Sequence, residues 1–487
     1  MRLQRPELRQ RVSYNALVRL AGRVAGALLT LVALRIATRY FGPSRWGIVV
    51  AASAMANLFV GVCDFGLLKV IAREIAADRP GERSVYGAGI LGVLAVSVLA
   101  SGVMAAACVV VYFDHPEIRS LSLVLVLSIV PNGFWVISSA AFVGKARNDA
   151  RAVVDVLSSL FLVGAAGATV AASLATSGYV WLTVLADAAT ALLSMGLARL
   201  YLTADFRSGR HRVIALVRQA APLGVSQVLV STYTQTEVIL LALFVTSRSV
   251  GEFGVAFQMV LFGIAVPPTL TAAILPKFVD APADRQARLL QRSLDVLVAA
   301  GAALPLFALV FARGLILLVS GPKFLGATTA LVVLACFATA TFAATVFLDA
   351  LVYVRAESKV LRATAITTVA NLAAAAAVIP FYGIDGAAVV LLGSAVLVCV
   401  LAGLEFRRTS TVWVSLKQPV RYLCTAGLLA GACWLAHATT GVSASTGLVM
   451  IPEAIGLAVV YGAGVLAVGG RRLVSERGGA GGTPTPA

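Results

Sequence analysis

An all-α polytopic membrane fold follows from three features of the sequence. Hydrophobic residues make up 60% of the chain and charged residues only 13%, about half the roughly 25% usual in soluble domains. Apolar runs of roughly 18 or more residues recur from end to end, each long enough to cross a hydrocarbon core about 30 Å thick. The runs are continuous and do not alternate at period two, which excludes a membrane β-barrel.

Taken in order, the runs predict 14 transmembrane helices, near 13–38, 46–68, 86–112, 120–144, 152–175, 178–200, 220–246, 249–276, 293–319, 325–354, 361–381, 384–406, 420–440 and 447–469. They divide into a basic cytoplasmic N-terminus at 1–12, an N-terminal six-helix lobe at 13–203 and a cytoplasmic inter-lobe linker at 204–219. A C-terminal six-helix lobe at 220–408 follows, then helices 13 and 14 within 409–470 and a tail at 471–487. That tail is rich in Gly, Pro and Thr and is expected to be disordered. The first apolar run follows MRLQRPELRQR with no A-x-A cleavage site, which predicts a retained span and not a removed signal peptide.

Charge placement tests the count. With both termini cytoplasmic, 30 of the 39 Lys and Arg fall on the inner tails and connections. Five fall outside (Arg39, Arg45, Arg119, Arg248 and Lys323) and four lie within spans (Arg19, Arg23, Arg35 and Arg313). This asymmetry is the positive-inside rule, and one missed span would invert it for every later loop. The same rule accounts for the net charge of +17. Aromatic–basic interleaving of the nucleic-acid kind is absent, so no nucleic-acid partner is expected.

Catalytic and metal chemistry find no support in the residues. The six cysteines (Cys63, Cys108, Cys336, Cys399, Cys424 and Cys433) all lie in apolar runs without a CxxC pair and read as small buried hydrophobes. His115, His211 and His437 have no second ligand at metal spacing. There is no GxxxxGK[ST] phosphate loop and no outer loop large enough for an enzyme domain. The sequence therefore predicts neither an enzyme nor a cofactor or metal.

A weak internal repeat is visible. Phe41-Gly-Pro-Ser-Arg-Trp-Gly47 follows span 1 and Ser249-Val-Gly-Glu-Phe-Gly254 follows span 7, their closing aromatic-Gly pairs 207 residues apart. Parallel repeats of this kind are typical of transporters, with the site at the repeat interface.

Three blocks carry a family resemblance. The first is Arg39-Tyr-Phe-Gly-Pro-Ser-Arg-Trp-Gly47 with Asp64-Phe-Gly-Leu67. The second is Ala221-Pro-Leu-Gly224 with Val250-Gly-Glu-Phe-Gly254 and Leu275-Pro276. The third is Gly321-Pro-Lys-Phe-Leu-Gly-Ala327, with Asn371-Leu372 and Ile379-Pro-Phe-Tyr-Gly-Ile-Asp-Gly-Ala-Ala388. In order and spacing they resemble the polysaccharide exporter and flippase family of the multidrug/oligosaccharidyl-lipid/polysaccharide exporter superfamily. The resemblance implies a multi-pass protein of the inner or plasma membrane that moves lipid-linked sugars for cell-surface polysaccharide synthesis. Its substrate would be a polyprenyl-diphosphate-linked oligosaccharide. Membrane lipids, with glycosyltransferases or polymerases, would be its partners, and it would act as a monomer.

Charged and polar residues inside the spans are the candidate site. At 100° per residue, Asn15, Arg19, Gly22, Arg23, Gly26 and Thr30 share a sector about 100° wide, while Arg35 lies about 160° from Arg19. Asn15, Arg19 and Arg23 are candidates for binding the diphosphate, which guanidinium forks grip bidentately. The alternative is that both arginines snorkel to the cytoplasmic interface. Ser226, Tyr233 and Thr234 share a face of span 7 with Glu237, a carboxylate near mid-membrane. Intramembrane acids mark ion and proton paths, so Glu237, Asp187 and Asp64 are ion- or proton-coupling candidates. The competing account of Glu237 is an ion pair with an arginine across the lobes, and of Asp64 a helix cap or a pair with Lys69 or Arg23. Thr30, Ser226, Tyr233, Thr234 and Asn371 are candidate cavity-lining residues, although a buried Asn also serves as interhelical glue. Asp349 fits a pair with Arg355, Glu453 fits the first turn of span 14, and Pro267, Pro268 and Pro276 should kink span 8.

The leading expectation is an alternating-access flippase. A lipid II-type flippase or a multidrug/ion antiporter of the same superfamily is the nearest alternative. A non-transporting envelope-assembly scaffold or a membrane glycan-modifying enzyme is the alternative of another class.

Overall fold

The computed structural model describes residues 6–77, 81–264, 282–354, 356–410, 414–440 and 450–474, with side chains beginning at Ala21. Every regular element among them is helical. The N-terminal half holds α1 (Pro6–Asp64), α2 (Leu67–Ala76), α3 (Glu82–Val111), α4 (Pro116–Leu125), α5 (Ile129–Gly144), α6 (Asn148–Ala171) and α7 (Thr176–Arg199). A single short turn of helix, α8 (Phe206–Gly209), leads to α9 (Val213–Phe244), α10 (Ser247–Ile264), α11 (Ala283–Val319), α12 (Thr328–Tyr353) and α13 (Glu357–Thr409). The chain closes with α14 (Lys417–Thr440) and α15 (Met450–Val474). Nine helical segments among the described residues are long and apolar enough to cross a membrane. The expected kinks at Pro267, Pro268 and Pro276 lie outside the described residues.

Two segments are too long for one crossing. α1 has 59 residues and α13 has 53. At 1.5 Å per residue a straight helix of either length would run about 80 Å or more. Each breaks once instead, α1 at Gly42 (φ 70°) just before Pro43 and α13 at Gly383 (φ 54°) just after Pro380. Both breaks use the left-handed region, where a Cβ is penalised. The two legs then return alongside each other. Phe41 and Trp46, on either side of the first break, both pack on Tyr179 of α7, with ring centroids 5.7 and 6.1 Å away. Across the second break, Asn371 Nδ2 donates to Ser394 Oγ at 2.9 Å, and farther along Lys359 Nζ donates to Thr409 Oγ1 at 2.7 Å.

α9 begins seven residues before the expected span and takes in part of the 204–219 linker, with Pro222 inside it. A proline removes one backbone donor, which neighbouring helices and hydroxyls compensate in a membrane protein. The carbonyl left without its helical donor is that of Arg218; separately, Ser226 Oγ donates to the Pro222 carbonyl at 3.1 Å.

Packing is by close approach of small residues, as expected where lipid tails are as apolar as the side chains. A large buried cluster joins both legs of α1 to α3, α10, α12 and α13. A second gathers α2, α3, α5 and the start of α9. In a third, α14 and α15 lie on α11, where Tyr461 Oη donates to the Ala299 carbonyl at 2.7 Å. Large apolar side chains such as Leu99, Val110, Leu192 and Phe381 are exposed on the outside, where lipid would cover them.

The repeated turns meet each other. A Cβ on Gly47 would collide with the Ser247 carbonyl, one on Gly251 with the Pro43 carbonyl, and one on Gly254 would stand 2.6 Å from the Val50 side chain. The second leg of α1 thus crosses α10 with backbones touching. Toward its other end the same leg lies on α9, where Gly61 faces Ser231, and Gly66 faces Leu223 and Gly224.

Candidate functional site

Between these crossings lies a cavity of about 310 Å³. Reading down the second leg of α1, Gly47 makes the first crossing, Ser53 and Asn57 face the cavity, and Gly61 makes the second. The leg is helical, so positions four apart share a face, and Ser53 and Asn57 stand one above the other. α5 adds Asn132, α7 adds Thr183 and Asp187, α9 adds Gln235 and α10 adds Gln258. Trp46 and Tyr179 close the end beside the Gly42 break. Asp187 is the one formally charged side chain on this wall, and it stands near Ser128 and Asn132.

A second cluster lies on the first leg of α1, beyond Thr30. Thr30 Oγ1 donates to the Gly26 carbonyl at 2.9 Å and to Ser159 Oγ of α6 at 3.3 Å. Gly26 and Gly22 bring α6 close, a Cβ on Gly22 lying 2.7 Å from Ala152 Cβ. This contact sets Arg23 in the electrostatic range of Arg151 and Asp155. Arg151 also acts on Asp64 and stands 5.9 Å from the centre of the Trp135 ring, in cation–π range. Asp64 itself accepts from Leu68 N at 3.2 Å and so caps the start of α2.

Glu237 belongs to neither cluster. It is fully buried between α9 and α13, where Oε1 accepts from Asn371 Nδ2 at 2.5 Å. Asn371 reaches on to Ser394, so three helical legs are tied together at this point. Glu237 Oε2 and Asn371 Oδ1 are buried without a hydrogen-bond partner.

The other candidates are placed as follows. Thr30 and Asp187 line the cavity, whereas Ser226, Tyr233, Thr234 and Asn371 are off its wall. The side chains of Asn15 and Arg19 lie outside the described residues. Arg35 donates to the Leu318 carbonyl and Arg39 to the Leu317 carbonyl at 3.0 Å, both at the C-terminal end of α11. Glu453 lies in the first turn of α15. Arg355 lies outside the described residues. Among the described residues, no three His, Cys, Asp or Glu side chains gather as metal ligands.

Sequence reasoning passed over Gln235, Gln258, Asn132, Trp46, Arg151 and Asp155. The i,i+4 spacing of Arg151 and Asp155 was a usable signal for one charged face. The carboxamides stand singly in unrelated apolar runs, with nothing to join them.

Residues 12–281 match the family model described as polysaccharide biosynthesis protein. The chain belongs to this family. No curated protein matches the sequence. Among solved structures, this family member is similar to a lipid II flippase, MurJ, in an inward closed conformation. Identity is 10% and the TM-score is 0.72, with 93% of this chain and 99% of that one covered. It is also similar to an inward-facing multidrug resistance MATE transporter of the MOP superfamily (17% identity, TM-score 0.65, 81% and 97% covered). A MOP superfamily transporter from Pyrococcus furiosus, described by the reverse polarity of its binding pocket, matches at 17% identity with a TM-score of 0.57, covering 82% and 94%. At these identities the likeness is one of fold. The protein is a multi-pass membrane protein with the architecture of these transporters.

Proposed function

We propose that this protein carries a polyprenyl-diphosphate-linked oligosaccharide, or a polysaccharide precursor, across the cytoplasmic membrane by alternating access. Fourteen crossings, with both termini in the cytoplasm, form two six-helix lobes and an added C-terminal pair. Arg23, with Asn15 and Arg19 on the same face, takes the diphosphate at the cytoplasmic end. Glu237 exchanges a proton or cation during the cycle, and Asp187 and Asp64 are the further acids in reach of the path. One observation carries the reading: a polar cavity lies between two close crossings of the same α1 leg, Gly47 against the Ser247 backbone and Gly61 against the Ser231 side chain. Opening one crossing while the other stays shut is what alternating access requires.

The test is flipping of a fluorescent polyprenyl-diphosphate glycan in proteoliposomes. Wild-type protein should move the label to the protected leaflet, and Arg23→Ala should slow it about tenfold or more, the scale of a lost charge-assisted contact. Full activity in Arg23→Ala would remove the diphosphate role, and no flipping by the wild type would remove the reading itself.

The cavity wall supports a second reading as a multidrug-type exporter, because its one charged residue is the acid Asp187. That reading expects an organic cation to be moved against its gradient, with loss in Asp187→Asn.

A further inference from the structure

We infer that the cavity is a subsite for one uncharged sugar ring of the head group, held by carboxamides of both lobes while the diphosphate stays lower, near Arg23. This rests on the reading of the protein as a carrier of lipid-linked glycans.

The carboxamides carry the argument. Asn57 on α1 and Asn132 on α5 face the cavity from the N-terminal lobe, and Gln235 on α9 and Gln258 on α10 face it from the other. Four separate helical segments thus converge on one space with the same functional group. Each carboxamide both donates and accepts, as a sugar hydroxyl does. Asn57, Gln235 and Gln258 make no side-chain hydrogen bond among the described residues. Asn132 is the engaged member of the four, donating to the Ser128 carbonyl at 2.9 Å and standing within hydrogen-bond reach of Asp187. Asn57 is exposed and Gln235 and Gln258 are half-buried along this wall, so their unspent donors and acceptors face open space where a polar occupant can pair with them.

Charge and size narrow the occupant. The wall has no Lys or Arg and one carboxylate, Asp187. An acidic sugar would face that carboxylate with no counter-charge, whereas hydroxyls of a neutral ring can donate to it. At about 310 Å³ the cavity is at the small end of small-molecule sites, which run roughly 300–1,000 Å³. It takes a single ring and not a whole repeat unit. Register fits as well. Thr30 lines the cavity and Arg23 lies seven residues earlier on the same helical leg, about 10 Å along the axis. That leaves a diphosphate next to the ring within reach of the guanidinium.

The experiment measures binding of three probes to the full chain in nanodiscs: polyprenyl diphosphate alone, the same lipid bearing N-acetylglucosamine, and the same lipid bearing glucuronate. For the wild type, N-acetylglucosamine should tighten binding about tenfold over the bare lipid, and glucuronate should not. Asn57→Ala and Gln258→Leu should each lose about fivefold of that gain, the scale of one or two hydrogen bonds, while holding the bare lipid as the wild type does. Gln258→Arg should turn the preference toward glucuronate. A wild type that binds the bare lipid but gains nothing from the neutral sugar overturns the subsite and leaves the carrier reading standing, as do variants that keep the whole gain. A wild type that binds none of the three probes overturns both.

Discussion

Glu237 and Asn371 form a buried pair joined through only half of their polar atoms. Asn371 Nδ2 donates to Glu237 Oε1 at 2.5 Å, while Glu237 Oε2 and Asn371 Oδ1 have no donor. Two orphan acceptors on one pair cost stability unless a proton or a cation meets them. The structure offers an amide here, not the arginine that a static ion pair needs. Glu237→Gln keeps the shape and removes the titratable group. Its glycolipid transport in proteoliposomes should no longer rise when a proton or sodium gradient is imposed, although the protein still inserts and folds. Gradient dependence equal to wild type would place coupling elsewhere. Asn371→Ala should lower stability by about 1–3 kcal/mol, since it strips Glu237 of its donor, and thermal unfolding in detergent reads that loss.

The Gly47 crossing makes a steric prediction. A Cβ there meets the Ser247 carbonyl, which is backbone and cannot turn aside as a side chain can. Gly47→Val should hold α1 and α10 apart and open the cavity at its Gly42 end, the face proposed above to be the outer one. In a background lacking the six native cysteines, Asn57→Cys should then react with a membrane-impermeant maleimide several-fold faster from outside. Gly102→Ala, where nothing lies within 4 Å of the added carbon, serves as the control. It should change neither labelling nor folding, and a helical Ala in place of Gly gains up to about 1 kcal/mol. Unchanged labelling in Gly47→Val would mean that the crossing is no gate.

Arg35 and Arg39 bind α11 through its backbone. Their guanidinium groups donate to the Leu318 and Leu317 carbonyls, at a helix end where α11 has no further turn to supply donors. Cations at helix C-termini are favourable by about 0.3–1 kcal/mol when exposed and more when partly buried. The double variant Arg35→Gln and Arg39→Gln should lose about 1–2 kcal/mol of stability and expose Asn57→Cys from outside as Gly47→Val does. Lower stability without added exposure would make the two arginines ordinary helix caps.

The two hairpins were readable because their cause is local. Gly42 with Pro43, and Gly383 after Pro380, each fall between two apolar runs that are both long enough to cross a membrane, so a reversal there is expected. Apart from Thr30 and Asp187, the cavity wall was not readable, and α9 shows why. Glu237 and Gln235 lie about 160° apart on that helix, so it has two polar faces. A helical wheel finds both and cannot tell which meets a neighbouring helix and which meets open space. Here α13 covers the Glu237 face through Asn371, and the cavity falls on the Gln235 face. The partners of Arg35 and Arg39 were hidden for a different reason. They are main-chain carbonyls, which have no signature in side-chain order.

Asp205 provides a pH test outside the membrane spans. Its carboxylate accepts from Arg207 N at 3.1 Å and Ser208 N at 3.3 Å, capping α8 in the connection between α7 and α9. Its own backbone N–H donates to the Arg83 carbonyl at 3.0 Å, tying that connection to the start of α3. Bonds from the Ser208 hydroxyl, and then from the backbone N–H groups, hold the Asp205 carboxyl below the usual carboxylate range. The sign follows from linkage. A carboxylate with a depressed folded pKa adds stability above its unfolded pKa and loses it as pH falls through the folded value. Asp205→Ala should therefore unfold at a lower temperature than wild type at pH near 7, since the cap is gone. The gap should begin to narrow as the pH falls below about 4, the unfolded value, and close only once it has passed the lower folded value, where the wild-type carboxylate is protonated too. Asp205→Asn caps without titrating, so its midpoint should stay above that of Asp205→Ala across the whole range. A wild-type-to-alanine gap that holds constant into acid would show that the cap works through packing of the turn and not through its charge.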